Sequence, residues 1–391
     1  MAIEIINRGK QLMKDFFGMP IKKLGFGFMR LPGFPGKPEE EIDYETVKKM
    51  VDLYIERGFT YFDTAYGYHG GNSEVAIRIA VAERYERDKF QVTTKIPLWE
   101  ELSWDQMKER TQTSLDRAGL DYFNLYFLHG IGPDRLEMIK KMKAFDYLRS
   151  VKDDGKTRNI GFSYHGDGDS LNRILDENGD FIDIVQLQIN YLDWEAQAKA
   201  CYEAAFSHGV GIVVMSPVKG GSLANFTPEV AEIFKKANPN ASVASWALRF
   251  PMHLDGIVTV LSGMSAIEHV EDNTMIADTM GPLSEDEMKV IAQALEEVNK
   301  IPTIPCTSCR YCVDDCPKKI GIPGIINVIN EYRKYQNLPG SKRFYGMVTG
   351  GMWGGTPAKA SDCIECGVCE KHCPQEIKII EANKEAAELF E

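Results

Sequence analysis

Eight apolar, strand-like runs alternate with helical segments between residues 24 and 278, and this alternation restricts the possible folds more than any other feature. The runs are almost continuously apolar, as in 123–128 and 210–215, which is typical of strands buried on both faces. The predicted strands are 24–29, 60–63, 90–95, 122–128, 158–162, 182–188, 210–215 and 256–261. This pattern predicts a parallel (β/α)8 barrel, a TIM barrel. A doubly wound open sheet is the alternative, but it favours a Gly-x-Gly-x-x-Gly turn, and the sequence after Gly25 and Gly27 lacks the third glycine.

Charge and hydropathy exclude several classes of function. The net charge is -12, and an acidic chain is a poor binder of nucleic acid, because phosphate recognition needs clustered positive charge. No apolar run reaches the length of about 18 residues that a membrane span requires. Residues 1–14 mix isoleucine with charged residues and lack the apolar core of an export signal. A cytoplasmic protein without a nucleic-acid or membrane partner is therefore expected.

Four polar side chains lie at the ends of three consecutive predicted strands. Asp63 ends the second strand, Lys95 ends the third, His129 follows the fourth, and Tyr68 lies in the loop after the second. Chemistry in such barrels sits at the carboxyl ends of the strands. An ammonium beside a phenol lowers the phenol pKa, so Lys95, oriented by Asp63, would help Tyr68 to donate a proton. His129 could polarise a carbonyl group through a hydrogen bond.

These residues lie in segments that resemble the aldo-keto reductase superfamily, and the resemblance covers residues 20–280. It rests on the segments 58–68, 94–95, 121–129 and 160–163. It implies a barrel that transfers hydride from a nicotinamide cofactor to an aldehyde or ketone. The catalytic residues that it implies are Asp63, Tyr68, Lys95 and His129.

The resemblance also implies the position of the nicotinamide. Ser163 and Gln186 fall where the family holds the carboxamide group, and Gly27 allows close approach of the backbone. Two positions depart from the family pattern. Tyr164 replaces the usual asparagine, and Met215 stands where an aromatic ring often stacks on the nicotinamide.

Two later segments resemble the rest of the cofactor site. The segment 216–222 resembles the pyrophosphate loop, while 262–265 and 272–273 resemble the adenosine end. A 2′-phosphate normally meets a lysine or arginine there, but residues 262–273 contain neither, so the cofactor is predicted as NADPH or NADH. The residues implied for these contacts are Ser216, Pro217, Val218, Gly220, Ser222, Ser265, His269, Asp272 and Asn273.

Eight of the nine cysteines form two runs with the same spacing, Cys-x2-Cys-x2-Cys-x3-Cys-Pro. This is the bacterial ferredoxin pattern, in which the fourth cysteine of each run ligates the other 4Fe-4S cluster. Bunched cysteines of this kind favour metal binding in a reducing compartment over a disulfide framework. A zinc site built from cysteine pairs is the weaker alternative. The ligands expected for one cluster are Cys306, Cys309, Cys312 and Cys373, and for the other Cys363, Cys366, Cys369 and Cys316.

The spacer between the runs contains a predicted helix, 325–335, and resembles the helical dicluster modules of multi-subunit oxidoreductases. Residues 1–300 are predicted to form the barrel, with a preamble at 1–20, and residues 301–391 a small, mainly helical dicluster ferredoxin-like domain. In the family the C-terminal tail closes the substrate pocket. Residues 301–391 are therefore expected to wall the active-site mouth, with Trp99 and Trp353 as candidate pocket aromatics.

Two functions follow as hypotheses. The first is NAD(P)H-dependent reduction of a small carbonyl substrate, with the clusters coupled to the barrel or supporting it. The second is a redox-responsive nicotinamide-binding or electron-transfer subunit of a larger complex with little carbonyl turnover. Nicotinamide gives two electrons as a hydride whereas each cluster carries one, so a flavin and a redox partner protein both remain open.

Overall fold

The computed structural model describes residues 21–34, 37–38, 41–351 and 356–391, except the side chain of Asp314. Eight parallel strands follow one another around a closed barrel, and the first pairs with the last. They are β1 (Leu24–Gly27), β2 (Tyr61–Asp63), β3 (Gln91–Pro97), β4 (Phe123–Ile131), β5 (Thr157–Tyr164), β6 (Ile184–Gln188), β7 (Gly211–Met215) and β8 (Ile257–Ser262). The predicted (β/α)8 barrel is confirmed. The predicted preamble at 1–20 and Trp353 lie outside the described residues.

Helices connect the strands and form most of the C-terminal region. The first ten are α1 (Tyr44–Glu56), α2 (Asn72–Ile77), α3 (Trp104–Ala118), α4 (Leu136–Lys141), α5 (Ala144–Asp153), α6 (Gly168–Asn178), α7 (Lys199–Ser207), α8 (Pro228–Ala237), α9 (Val243–Met252) and α10 (Ile267–Thr279). The others are α11 (Glu285–Lys300), α12 (Tyr311–Asp314), α13 (Ile322–Tyr335), α14 (Leu338–Thr349), α15 (Val368–Lys371) and α16 (Ile379–Phe390). None of these helices is long and apolar enough to cross a membrane.

Local sequence explains where several helices begin and end. Ser103 and Gln106 form a reciprocal capping box at the start of α3, and Gly119 ends that helix at a φ of 65°. The sequence pattern predicts a single helix over 135–153, but the structure has two, α4 and α5, because Lys143 takes a left-handed φ of 53° between them. Hydrophobic patterning does not detect such a break, since the apolar face continues on both sides.

The register of the strands places the predicted site residues beside one another. Gly27 pairs with Asp63, Pro97 with His129, and Ser163 with Gln186. The barrel interior beneath them is filled by side chains from several strands, which form one apolar cluster with Tyr61 and Phe127. The carboxyl ends of β1 to β6 therefore carry the candidate residues on a packed support.

The described residues divide into two compact units. One comprises Met1–Pro217 and Ser245–Leu283, which include all eight strands, and the other comprises Val218–Ala244 and Ser284–Glu391. The second unit has its own apolar core, in which α13 and α16 contribute most of the buried side chains and Cys312, Cys316 and Cys369 are buried with them. The domain boundary at residue 300 stays a prediction. By compactness, the loop after β7, α8 and α11 group with the C-terminal residues.

Candidate active site and cysteine region

Lys95 and Asp63 form a buried ion pair at the ends of β3 and β2. Lys95 Nζ donates to Asp63 Oδ1 at 2.6 Å and to the Thr64 carbonyl oxygen at 2.8 Å, and the two side chains are only 1% and 4% exposed. Burial raises the pKa of the Asp63 carboxyl, while Lys95 opposes that effect. Burial lowers the pKa of Lys95, but Asp63 and Tyr68 outweigh burial, and the net shift is upward. Lys95 is therefore an ammonium at neutral pH.

Tyr68 and His129 lie next to this ion pair. Lys95 Nζ is 5.2 Å from the centre of the Tyr68 ring, and the Tyr68 and His129 rings are 5.7 Å apart and almost perpendicular. Burial raises the pKa of the Tyr68 phenol, and the Lys95 ammonium opposes that shift without cancelling it. The lowered Tyr68 pKa expected from the sequence is therefore wrong, because desolvation of the buried phenol outweighs the nearby positive charge. Burial and the charge of Lys95 hold the pKa of His129 well below its usual value of 6.5. At neutral pH the site therefore holds a protonated phenol beside a neutral imidazole.

A short 3-10 turn, Tyr68–Gly71, fixes the backbone after Tyr68. His69, Gly70 and Gly71 have φ values of 51°, 63° and 99°, so three consecutive residues lie in the left-handed region. The His69 ring accepts a hydrogen bond from the Leu31 amide at 3.3 Å, which links this turn to the segment after β1. The turn directs the chain from β2 into α2 and leaves Tyr68 at its first position.

Trp99 and Arg135 lie beside His129. The Trp99 ring is 4.9 Å from the His129 ring and 54% exposed, and the Arg135 guanidinium carbon is 4.8 Å from the Trp99 ring centre. Arg135 also donates to the Gly130 carbonyl oxygen at 3.2 Å. The sequence pointed to Trp99 but not to Arg135, because an arginine after a Pro-Asp turn carries no functional signal by itself. Its approach to Trp99 depends on the path of the loop after β4.

Ser163 and Gln186 fit a carboxamide group. Gln186 is 2% exposed, and its Oε1 has no hydrogen-bond partner among the described residues, so a bound amide N–H would satisfy it. Ser163 Oγ accepts a hydrogen bond from the Gly130 amide at 2.8 Å. Tyr164, at the position where the resemblance calls for asparagine, is buried and donates its hydroxyl to the Asp167 carbonyl oxygen at 2.9 Å. This hydrogen bond links the end of β5 to the segment that leads into α6.

The loop after β7 contains several residues with left-handed backbone conformations. Ser216, Lys219, Gly220 and Gly221 all have positive φ, with values of 54°, 46°, 67° and 97°. Successive turns of this kind gather backbone N–H groups into a concave site that suits an anion. Asn190 donates to the Ser216 carbonyl oxygen at 3.4 Å, and the Gly221 amide donates to the Val218 carbonyl oxygen at 3.0 Å. Met215 ends β7 just before this loop and is partly buried.

The segment predicted to hold the adenosine end is ordered by its own side chains. Asn273 donates to Ser262 Oγ at 2.7 Å, and the Ser265 amide donates to the exposed His269 ring at 3.3 Å. The structure adds a cation that the sequence analysis missed. The side chain of Arg30 lies against Gly263. A Cβ atom placed on Gly263 would be only 3.4 Å from Arg30 Cδ. The pairing of β1 with β8 brings the two segments together across the closure of the barrel.

One cavity gathers four cysteines of the two runs. Its lining includes Cys306, Cys309, Cys312 and Cys373. None of the nine cysteines is in a disulfide. Among the described residues, no three His, Cys, Asp or Glu side chains converge tightly enough to hold a single ion. A cavity with four thiols at its wall suits a larger cluster, so these residues fit the 4Fe-4S group that the spacing implies.

The two cysteine runs also share one backbone conformation. Ser308, Arg310 and Lys319 have φ values of 56°, 68° and 53°, and the residues at the same offset in the second run, Glu365, Gly367 and Glu376, have 56°, 71° and 52°. A one-turn helix follows at the same offset in both runs, α12 in the first and α15 in the second. Five of these six positions are neither glycine nor asparagine, so both loops keep a conformation that costs free energy.

Comparison with known proteins identifies both parts of the chain. Residues 23–296 match the model of the aldo/keto reductase family, and residues 305–378 match a 4Fe-4S dicluster domain. Among curated proteins, an NADH-specific methylglyoxal reductase of Escherichia coli is 26% identical, over 71% of this chain and 96% of its own length. An L-galactose dehydrogenase of Arabidopsis thaliana is also 26% identical, over 73% of this chain and 91% of its own.

Solved structures agree with this assignment. The aldo-keto reductase Tm1743, in complex with the inhibitor epalrestat, is 25% identical with a TM-score of 0.57, and the match covers 71% of this chain and 96% of that one. An aldo-keto reductase from Klebsiella pneumoniae in complex with NADPH shares the fold at 20% identity and a TM-score of 0.57, over 71% and 91% of the two chains. The family match spans more than half of the chain. This chain therefore belongs to the aldo/keto reductase family, and a 4Fe-4S dicluster domain follows its barrel.

Proposed function

We propose that the chain reduces a small aldehyde or ketone with NADPH or NADH, and that Asp63, Tyr68, Lys95 and His129 are its catalytic residues. The observation that carries this proposal is the buried Lys95–Asp63 ion pair beside a phenol and a neutral imidazole. Family membership supports it, as does the fit of Ser163 and Gln186 to a carboxamide. The nicotinamide cofactor, when bound, supplies the hydride.

Each of the four residues has a distinct role in this proposal. The raised pKa of the Tyr68 phenol keeps it protonated at neutral pH, so it can give its proton to the substrate oxygen as negative charge develops there. The Lys95 ammonium stabilises the phenolate that remains, and Asp63 holds Lys95 in place through the 2.6 Å hydrogen bond. His129 is neutral and can donate one hydrogen bond to the same oxygen, which polarises the carbonyl group.

We also propose that the cysteine runs hold two 4Fe-4S clusters in the crossed arrangement expected from their spacing. The cavity lined by Cys306, Cys309, Cys312 and Cys373 supports the first ligand set. The repeated backbone conformation of the two runs supports a second set of the same design, made by Cys363, Cys366, Cys369 and Cys316.

Substitution of Tyr68 tests the carbonyl reductase activity. The Tyr68→Phe variant should lose about 10²- to 10⁴-fold in kcat toward small aldehydes such as methylglyoxal, while its Kd for the dinucleotide stays unchanged. Tyr66→Phe is the matched control, because Tyr66 lies in the same segment but its ring packs under the Arg117 guanidinium, 4.6 Å away. Unchanged turnover in Tyr68→Phe would remove Tyr68 from the acid role.

A second experiment asks whether the two chemistries are coupled. The protein is purified without oxygen, NADPH or NADH is added, and the clusters are followed by EPR spectroscopy. Cluster reduction without another protein would show that electrons pass from the nicotinamide to the clusters. Carbonyl reduction without any cluster signal would assign the clusters a supporting role. Dinucleotide binding with neither reaction would favour the alternative, a redox-responsive subunit of a larger complex.

A further inference from the structure

The loop after β7 is held by the C-terminal region of the chain. Asn337, between α13 and α14, donates from Nδ2 to the Gly220 carbonyl oxygen at 3.1 Å. A Cβ atom placed on Gly221 would be 3.2 Å from the same amide nitrogen. The Asn337 amide therefore lies directly against Gly220 and Gly221. Asn337 lies beyond residues 23–296, the part of the chain that matches the reductase family.

A second contact holds the same loop. The Phe226 ring at its far end lies 5.7 Å from the ring of Tyr335, which is 2% exposed and ends α13. Within the loop, Asn225 Nδ2 donates to the Gly221 carbonyl oxygen at 2.7 Å. The loop is therefore held from outside at two points, by an aromatic contact with Tyr335 and by an amide hydrogen bond from Asn337.

The loop needs such support because its backbone is strained. Lys219 has a φ of 46° without being glycine, and Gly220 and Gly221 follow at 67° and 97°. A left-handed residue with a side chain persists only where its surroundings hold it. Left-handed turns of this kind can gather backbone N–H groups for an anion, so the affinity of the loop for an anion depends on whatever keeps this conformation in place.

The helix before Asn337 begins at the cysteine cavity. Ile322, Pro323 and Ile326, in the first turns of α13, line the cavity together with the four cysteines. The helix has 14 residues, which corresponds to about 21 Å. One rigid element thus has the cavity at its first end and the contacts with the loop after β7 at its other end.

We propose that Asn337 is a positioning residue for the nicotinamide cofactor, and that the C-terminal region holds the loop that binds the cofactor's pyrophosphate. This inference rests on the proposed dinucleotide-dependent function. It assigns part of the cofactor affinity to a side chain that belongs to the cysteine-containing region. Loss of the hydrogen bond lets the loop leave its strained conformation, and the anion site is then populated only part of the time.

The Asn337→Ser substitution isolates the hydrogen bond. Asn337 Oδ1 also caps α14 by accepting from the Gly340 amide at 3.1 Å, and a serine hydroxyl can keep that cap but cannot reach Gly220. We expect the Kd for NADPH and for NADH to rise about fivefold, with kcat at saturating cofactor unchanged. Hydrogen exchange, measured by mass spectrometry, should become faster at the Gly221 and Leu223 amides, which both donate to the Val218 carbonyl oxygen.

Asn330→Ser is the matched control. Asn330 lies on the same helix and bonds both backbone groups of Ile304 at 2.8 and 2.9 Å, so its loss disturbs the C-terminal region without touching the loop after β7. An equal loss of affinity in this control, or an unchanged Kd in Asn337→Ser, would overturn the positioning role. If hydrogen exchange at the Gly221 and Leu223 amides is unchanged in Asn337→Ser, that result alone shows that Asn337 does not hold the loop. A wild-type protein that binds neither dinucleotide would instead overturn the proposed function, and the exchange measurement would still decide whether Asn337 holds the loop.

Discussion

Lys95 is a charged side chain that is almost fully enclosed in the barrel, so its protonation state depends on the charged and polar groups beside it. A lone buried ammonium would give up its proton, but Asp63 and Tyr68 together reverse the downward effect of burial on the Lys95 pKa. The second carboxylate oxygen of Asp63, Oδ2, is buried and has no hydrogen-bond partner in the part of the chain that the structure describes. The pair is therefore maintained by the attraction between its two charges, and removal of either one leaves the other uncompensated.

The pKa shifts of Tyr68 and His129 predict a broad pH optimum. Tyr68 must be protonated to act, so activity is lost as the pH rises through its pKa, which lies above the usual 10.0. His129 must be neutral, so activity is lost as the pH falls through its pKa, which lies well below 6.5. We expect kcat/KM to stay flat between these two values.

The measurement is a profile of kcat/KM against pH, with circular dichroism at each pH to confirm that the protein stays folded. The His129→Gln variant serves as the control, because it lacks the imidazole and should lose the acidic limb while it keeps the alkaline one. A limb between pH 6.5 and 10 in the wild-type protein would contradict the assignment of these two groups.

Most of the candidate residues could be found from the sequence because each follows a recognisable buried strand. Asp63, Lys95 and His129 need only the strand assignment to be placed at one end of the barrel. Arg30 could not be found in this way. It lies in a 3-10 turn, Phe28–Arg30, whose proximity to Gly263 depends on how β1 and β8 close the barrel. A pattern in the sequence does not carry that information.

Arg30 provides a prediction about the choice between NADPH and NADH. The segment 262–273 has no lysine or arginine of its own, and Arg30 is a cation that the structure places beside it. If Arg30 meets a 2′-phosphate, Arg30→Ala should weaken the binding of NADPH about tenfold or more and leave NADH unaffected. Titration of both dinucleotides by intrinsic fluorescence measures the effect.

Two controls sharpen this titration. Arg30→Lys keeps a positive charge and should retain most of the preference, whereas His269→Ala tests the titratable side chain that the sequence suggested. An equal loss for NADH and NADPH in Arg30→Ala would mean that Arg30 supports the fold of the segment and does not read the 2′-phosphate.

The turn that carries Tyr68 depends on glycine. Gly71 has a φ of 99°, and a Cβ there would stand 2.7 Å from the Arg117 guanidinium, which donates to the Tyr66 carbonyl oxygen at 3.1 Å. Gly67, on the other side of Tyr68, has an ordinary φ of -97°, and no atom of the described residues lies within 4 Å of its Cβ position. The two glycines thus flank the same phenol and meet very different constraints.

This contrast predicts unequal effects of the same substitution. Gly71→Ala should lower the free energy of unfolding by about 1–2 kcal/mol, because alanine resists a left-handed φ, and should lower kcat because the turn moves Tyr68. Gly67→Ala should leave both quantities close to those of the wild type. Thermal or denaturant unfolding and steady-state kinetics measure the two effects. Equal damage from both substitutions would show that the turn does not position Tyr68.

The helix boundaries show which features of the structure sequence patterns can predict and which they cannot. Ser103, Gln106 and Gly119 are recognisable start and stop signals. The sequence pattern predicts a helix over 103–118, and α3 has these bounds to within one residue. The break between α4 and α5 depends on the left-handed Lys143, a residue type that is a good helix former. Tertiary packing decides such positions, and local propensity does not.

At the scale of the whole molecule, the cysteine runs are part of a hydrophobic core. Cys312, Cys316 and Cys369 are buried in it, and Cys306, Cys363 and Cys373 pack against it. The sequence predicted the cluster ligands and the helix between the runs, but not that the loop after β7 groups with this region. That grouping depends on contacts between residues far apart in the chain, such as Asn337 and Gly220.

Removal of one cysteine tests how the clusters and this core depend on each other. In the proposed arrangement Cys373 belongs to the same cluster as Cys306, although it lies in the other run. Cys373→Ala should therefore abolish the same EPR signal as Cys306→Ala and reduce the iron content from about eight atoms per chain to about four. Both variants should also lower the unfolding temperature of the C-terminal region, because the binding free energy of a cluster contributes to folding and each variant removes one of its ligands.

Cys201→Ala is the matched control, since Cys201 is the ninth cysteine and lies on α7 in the unit that contains the eight strands. Its iron content and EPR signals should equal those of the wild type. If Cys373→Ala removed the same signal as Cys363→Ala instead, each run would ligate its own cluster and the crossed arrangement would be wrong. The crossed arrangement ties the two runs together, because neither cluster is complete without a cysteine from the other run. Loss of one ligand should then loosen both loops, and hydrogen exchange should rise in 306–316 and 363–373 alike.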